Sequence, residues 1–229
     1  MKTQLLTLLL LVASASASAH TAQEMAFTCP IGGEKFTQTM DTSGTRIGMM
    51  TDTRPVGPIA TPFSLAQCPS NKFVMFKKEF SPDELAKFER VVNSAEYQQI
   101  AAQSPSYLAW GRMMELAGEN QDAQQMMNIF LQASWQSESQ ESFSKTLEYA
   151  DKVLANKAIS SKDAINTQFL RGEMLRKLGR FDEAKRVFTA LQKNPEVKKD
   201  KLFSQLAALQ LSLVAKKSIV SEIIDFDKK

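Results

Sequence analysis

The spacing of apolar residues from Ser81 onward predicts a series of amphipathic helices. The capping sequence Ser81-Pro82-Asp83-Glu84 begins the first helix, because its Ser and Glu side chains can satisfy the free N–H groups of a helix start. The apolar stripe of this helix consists of Leu85, Phe88, Val92 and Tyr97. Further helices are predicted at about 106–117, 122–136 and 141–156. The short connections between them favour antiparallel helical hairpins.

The strongest internal pattern lies between residues 164 and 197. A predicted helix containing Gly172 is followed by the turn Leu178-Gly179-Arg180-Phe181 and by a second helix containing Ala184. Small residues at these two positions allow the helices to approach closely. The order of glycine, turn, alanine and aromatic residue resembles a tetratricopeptide (TPR) unit. A last helix at about 197–217 is expected to cover the apolar face of this unit.

Residues 26–80 have a different composition. They contain both Cys and five of the nine Gly, together with short runs of β-forming residues. These runs are Phe27-Thr28, Phe36-Thr37-Gln38-Thr39 and Phe73-Val74-Met75-Phe76. The pattern predicts a small, loop-rich module of short strands in front of the helices.

Two Cys-Pro sequences in this module resemble the knuckles of a zinc ribbon. They begin at Cys29 and Cys68, and the second Cys of each knuckle is replaced, by Gly32 in the first and by Asn71 in the second. Two sulfurs cannot complete a tetrahedral thiolate site, so we expect neither a metal nor another cofactor. The fold class expected is mainly α, with a small β-rich degenerate zinc-ribbon-like head followed by antiparallel α-hairpins and a TPR-like C-terminal unit.

The ribbon resemblance implies that the two remaining Cys lie close together. In an oxidising compartment this implies a Cys29–Cys68 disulfide, with free or intermolecularly paired thiols as the alternative. Neither Cys belongs to a Cys-x-x-Cys pair, which argues against thioredoxin-like chemistry.

The order of several short motifs resembles a bacterial family of unknown function, numbered 2225 among such domains. These motifs are Phe27-Thr28-Cys29-Pro30, Gly33-x-x-Phe36, Pro58-Ile59-Ala60-Thr61-Pro62, Cys68-Pro69, Phe73-Val74, Phe80-Ser81 and Leu131-Gln132-Ala133-Ser134-Trp135. The resemblance covers roughly residues 26–160 and implies a ribbon-like head followed by helices, without an established activity. Metal-binding members have both Cys in each knuckle, so the loss of one Cys from each knuckle here argues against a zinc function.

The N-terminal residues have the pattern of a secretory signal peptide. Lys2 precedes an apolar run at Leu5–Ala13, and an Ala/Ser stretch ends at Ala19. The run is too short to span a bilayer, although an uncleaved anchor is the alternative. We therefore expect a soluble protein exported across the inner membrane to the periplasm. The expected divisions are a signal peptide at 1–19, a disulfide-closed module at 20–80, a helical TPR-like domain at 81–217 and a C-terminal tail at 218–229.

The net charge and the single His restrict the functions that this chain can have. The net charge of +3 is too small and too dispersed to indicate nucleic acid as the main partner. A Ser-His-Asp triad would have to use His20, the single His. His20 as a new N-terminus could bind Cu(II), and pairs of adjacent Met could bind Cu(I), but an N-terminal tail and core packing are the simpler interpretations. Trp110 and Trp135 could line a ligand groove, with helix packing as the alternative.

These observations favour a non-enzymatic interaction or scaffold protein. The first helix of a TPR-like unit presents side chains along one surface, and the candidate partner-binding residues there are Asn166, Gln168, Arg171 and Arg176. The expected partner is another envelope protein or a peptide. A periplasmic metal- or small-ligand-binding protein is the alternative function, followed by a hydrolase or redox enzyme.

Overall fold

The computed structural model describes residues 20–118 and 122–224. The predicted signal peptide lies outside this range. The described strands are β1 Thr21–Thr28, β2 Lys35–Ser43, β3 Gly48–Met49, β4 Pro55–Val56, β5 Ala66–Gln67 and β6 Val74–Met75. The described helices are α1 Pro82–Val92, α2 Ala95–Gln103, α3 Ser106–Ala117, α4 Ala123–Ser137, α5 Gln140–Ala155, α6 Ser161–Lys177, α7 Phe181–Lys193, α8 Pro195–Lys199 and α9 Lys201–Ala215. The expected mainly α fold with a small β-rich head is confirmed.

The head consists of three two-stranded antiparallel sheets, which pair β1 with β2, β3 with β4 and β5 with β6. In the longest of them, Phe27 lies opposite Phe36 and the two rings stack at 5.4 Å. Side chains of β2 connect this hairpin to the segment that leads into β5. The Gln38 amide donates to the carbonyl of Leu65 at 3.0 Å and accepts from the amide of Gln67 at 3.1 Å.

Two turns with the same hydrogen-bond pattern hold the cysteines. The amide of Cys29 donates to the carbonyl of Glu34, and that of Cys68 donates to the carbonyl of Phe73. In both turns the residue four positions after the Cys donates back to the Cys carbonyl and has a positive φ, 70° at Gly33 and 61° at Lys72. The Cα atoms of the two Cys are 5.6 Å apart and their sulfurs are bonded, which confirms the predicted disulfide.

The first predicted helix is divided in two in the structure. Ser81 caps α1 together with Glu84, as expected, but the helix ends at Val92 and Ser94 caps a second helix, α2. Tyr97 therefore belongs to α2. Its hydroxyl donates to the carbonyl of Lys72 at 2.8 Å, which attaches α2 to the second Cys turn, and burial raises the pKa of its phenol.

The last predicted helix is also divided. Asn194 caps the short helix α8, in which Pro195 is the first residue. Asp200 then caps α9, which ends at Ala215 instead of continuing to Lys217. Both divisions occur where a Ser, Asn or Asp side chain accepts a bond from a backbone N–H, because such a bond competes with continuation of the helix.

Each helix from α3 to α7 packs on the next one in the chain, and α9 packs on α7. Close approach of α6 and α7 depends on Gly172, because a Cβ atom there would lie 2.6 Å from the Phe188 ring. Gly111 has the same relation to Phe130 between α3 and α4. The close crossing expected at Gly172 is therefore present, whereas membership in the TPR class stays a prediction.

The head and the helices share one hydrophobic core, although the composition changes at residue 80. Phe73 and Phe76 of the head contact Phe88 of α1, and Phe76 stacks on Trp110 of α3 with a centroid distance of 5.0 Å. Trp110 thus packs between the head and the helices, in agreement with the packing interpretation of this residue.

Reduction of the disulfide is expected to destabilise the protein. Closing a loop of 39 residues corresponds to about 4 kcal/mol in the chain-entropy model. Urea unfolding with and without reductant measures this difference, and Cys29→Ala/Cys68→Ala is the control in which reductant has no effect. An unchanged unfolding midpoint for the reduced wild-type protein would contradict the expectation.

Gly172→Ala is expected to destabilise the protein by about 1–3 kcal/mol, because the added methyl group must displace the Phe188 ring. This loss is expected although alanine is favoured over glycine in a helix by roughly 1 kcal/mol. In a Phe188→Leu background the loss should shrink or change sign. A double-mutant cycle of unfolding free energies tests the coupling, and additive effects would show that the ring does not set the helix spacing.

Candidate functional site

Three adjacent charged residues near the end of α6 are buried. Glu173 and Arg176 have no exposed surface, and Lys177 is 2% exposed. Arg176 lies one helical turn after Glu173 and donates to both of its carboxylate oxygens, at 2.6 Å from Nη2 and 3.1 Å from Nε. A buried charge is tolerated only when it is paired and hydrogen-bonded, so each residue of this pair depends on the other.

Helix α9 contributes Gln210 to the same cluster. Its side-chain amide donates to Glu173 at 2.8 Å and accepts from Arg176 at 3.1 Å. Nearer the start of α6, Phe169 stacks on Phe203 of α9 with a centroid distance of 5.5 Å. We call the line of contact between α6 and α9 the α6–α9 seam; it is aromatic toward the start of the two helices and polar toward their ends.

The head reaches the polar end of the seam through residues 49–54, here called the head loop. The hydroxyl of Thr51 donates to Glu173 at 3.1 Å, and the indole of Trp135 on α4 donates to the carbonyl of Asp52 at 3.1 Å. Lys177 Nζ lies 3.8 Å from the carboxylate of Asp52. The indole contact shows that Trp135 positions the head loop.

Residues 218–224, here called the C-terminal segment, lie against the same cluster. Arg176 Nη1 donates to the carbonyls of Ser218 and Val220, at 2.5 and 2.9 Å. The amide of Thr51 donates to the carbonyl of Glu222 at 2.8 Å, and the amide of Ile224 donates to the carbonyl of Met49 at 2.8 Å. The part of the expected tail that the structure describes is thus paired with the head loop.

The sequence predicted that Arg176 lies on an open partner-binding surface, but in the structure this residue is buried. Its guanidinium is enclosed by Glu173, Gln210 and the C-terminal segment. The surface prediction failed because the ion pair with Glu173 is compatible with either a surface or a buried position, and the groups that enclose it, Gln210 and Val220, are more than 30 residues away in the sequence.

The other three candidate residues do not form one surface with Arg176. Asn166 is exposed and Gln168 is half-buried, but helix geometry turns two residues by about 200°, so they point to opposite sides of α6. Arg171 donates to Asp151 on α5 at 2.6 Å. The partner role of these residues stays a prediction, and Asn166 is the member best placed to meet a partner.

An open cleft of about 690 Å³ lies at the aromatic end of the α6–α9 seam. Its lining residues are Ser161, Lys162, Ile165, Glu196, Lys199, Asp200 and Phe203. Ile165 and Phe203 provide apolar surface, while Lys and acidic side chains surround them. The polar end of the seam is therefore filled by the C-terminal segment, whereas the aromatic end is open.

Sequence reasoning missed Glu173, Gln210, Asp52 and Ser221 as parts of one cluster. The available signal was weak: Gln210 lies between Leu209 and Leu211, and Glu173 precedes Arg176 at the spacing of a helical ion pair. Neither pattern distinguishes a buried cluster from a solvated face.

The residues considered for metal binding have other contacts in the structure. Met113, Met114, Met126 and Met127 are buried in the core. The His20 ring lies 2.8 Å from Asp41. Burial raises the pKa of Asp41, but hydrogen bonds from Ser64 and His20 outweigh it, so the net shift is downward. Within residues 20–118 and 122–224 there is no group of three or more His, Cys, Asp or Glu placed to hold a metal ion.

No helix in the described part of the chain is long and apolar enough to cross a membrane. Comparisons with protein-family models, with curated proteins and with solved structures gave no match. The resemblance to the family of unknown function therefore stays a prediction from its motifs.

Replacement of the two buried cations is expected to have unequal effects. Arg176→Met leaves Glu173 buried without its ion pair and is expected to cost about 3–5 kcal/mol. Lys177→Met should cost within about 1 kcal/mol, because Lys177 Nζ makes no hydrogen bond to the described residues and Asp52 keeps the bonds from Ser221 and Arg54. Chemical denaturation of both variants measures the difference, and equal losses would contradict this assignment.

Proposed function

We propose that this chain is an exported, non-enzymatic interaction protein that binds an extended segment of another envelope protein along the α6–α9 seam. The observation that carries the proposal is the attachment of the C-terminal segment. Arg176 holds that segment through two main-chain carbonyl groups, and the head loop pairs with it as a short antiparallel bridge. Contacts of this kind suit any extended polypeptide, because they do not depend on side-chain identity.

The open cleft supports the same function. It lies at the aromatic end of the seam, opposite the end that the C-terminal segment fills, and its volume of about 690 Å³ accommodates several side chains of a peptide. The apolar surface of Ile165 and Phe203 can bury a side chain, while Lys162 and the surrounding charged groups can contact polar parts of a ligand.

Export is proposed on two grounds. Residues 1–19 have the pattern of a cleaved signal peptide. The Cys29–Cys68 disulfide is of the kind that persists in oxidising compartments, which the bacterial periplasm provides. An envelope protein is therefore the class of partner that this chain would encounter.

Site-specific crosslinking in intact cells tests the proposal. A photoreactive amino acid replaces the exposed Asn166, one helical turn after Lys162 in the cleft, and crosslinked products are identified by mass spectrometry. Lys162→Glu in the same chain should reduce the yield of the specific product at least about fivefold, a coupling of roughly 1 kcal/mol. Lys185→Glu is the matched control, since Lys185 is an exposed lysine on α7 outside the cleft.

A product that depends on Lys162 and not on Lys185 would support binding in the cleft. Absence of any product, or equal loss with both variants, would refute it. Circular dichroism of both variants shows that the comparison is made between folded proteins.

A further inference from the structure

The contacts of the C-terminal segment divide into a general and a specific set. Main-chain bonds join it to Arg176, Thr51 and Met49 and would form with any extended chain. Two side chains add specificity. The hydroxyl of Ser221 donates to the buried carboxylate of Asp52 at 2.9 Å, and Ile224 is 6% exposed. These two contacts fit a hydroxyl residue followed, three positions later, by a branched aliphatic residue.

The remaining large side chains of the segment contribute little to its attachment. Ile219, Val220 and Ile223 are each more than half exposed. The bridge between Met50 and Ile223 directs the main-chain N–H and C=O of Ile223 away from the head loop, as antiparallel geometry requires for such a pair. The segment thus presents outward-facing main-chain groups at Ile223 beside exposed apolar side chains, features that favour pairing with another chain.

The connection to α9 permits the segment to leave. Helix α9 ends at Ala215, and Lys217 then turns the chain with a φ of 51°, a conformation unfavourable for a residue other than glycine. No helix has to move when residues 218–224 separate from the head loop, because the segment follows the last described helix.

We propose that the C-terminal segment is an exchangeable occupant of a peptide-binding site, displaced by a partner segment with Ser or Thr three positions before Ile, Val or Leu. This inference rests on the proposed function and names what the filled end of the seam recognises. A second copy of the chain, like a free peptide with the sequence of the segment, would offer the same contacts without the advantage of covalent attachment, so it competes with the resident segment only at high concentration. The occupant is therefore a different protein, with better contacts beyond the shared ones.

A peptide with the sequence of residues 218–224, Ser-Ile-Val-Ser-Glu-Ile-Ile, is the probe for this site. Ser221→Ala in the full chain weakens the resident segment by removing a hydrogen bond to a buried carboxylate. Binding of the labelled peptide should then be tighter by about tenfold or more than binding to the wild-type protein, as expected for loss of a bond to a charged group. Ser212→Ala, at an exposed position of α9, is the matched control and should bind as the wild type does.

A second peptide carries Ala at the position of Ser221 and should bind about tenfold more weakly than the first. Hydrogen exchange locates the peptide, since displacement of the segment frees the Ile224 amide from the Met49 carbonyl and accelerates exchange in residues 218–224. The proposal is overturned by equal affinities for the three proteins, by absence of binding, or by binding that leaves this exchange unchanged. Light scattering of the Ser221→Ala protein shows whether two copies exchange their C-terminal segments. A dimer formed in this way would show that the occupant is a second copy of the chain and not a different protein.

These results are separable from the crosslinking at Asn166, which examines the open cleft. Failure of the peptide to displace the segment, with a Lys162-dependent crosslink retained, would remove the exchange and leave the proposed function. Displacement without such a crosslink would leave the peptide site and remove binding in the open cleft.

Discussion

The ion pair between Glu173 and Arg176 determines how the distant parts of this chain are arranged. Both side chains are buried, so every hydrogen-bonding direction of the carboxylate and the guanidinium requires a partner. Those partners come from the head loop, from α9 and from the C-terminal segment. The pair therefore fixes the positions of three elements that are far apart in sequence, which apolar packing alone specifies less precisely because it has no direction.

The disulfide has a complementary effect in the head. A module made of two-residue strands and one longer hairpin has little apolar surface to bury, and an isolated hairpin is marginally stable. The bond between the two Cys turns restricts the unfolded chain, while Phe73 and Phe76 attach the second turn to the helices. The head is thereby held in place, and its loop at 49–54 can be presented to the buried charges of α6.

The two ends of the α6–α9 seam relate the fold to the proposed binding of a polypeptide. A seam between two helices has one end occupied by main-chain contacts and one end open, so a single element, α6, takes part in both. Exposed aliphatic side chains on the C-terminal segment lie next to this occupied end. Several exposed apolar side chains grouped on one segment are typical of a surface that contacts another molecule, which agrees with the proposed binding.

The sequence by itself determined the features that depend on local chemistry. A capping sequence marked the start of α1, Gly172 marked the close helix crossing, and the paired Cys-Pro turns led to the disulfide. The two helix divisions at Ser94 and Asp200 could also have been predicted, since both are capping residues, but the apolar periodicity on either side concealed them. Only the tertiary structure decided that Arg176 is buried and that residues 218–224 pair with the head loop. The physical reason is that a charged residue on a helix is stable on the surface without a specific partner and in the interior only with one. Glu173 is available to Arg176 through helical spacing, but Gln210 and the carbonyl of Val220, which complete the burial of the pair, are brought to it by the fold.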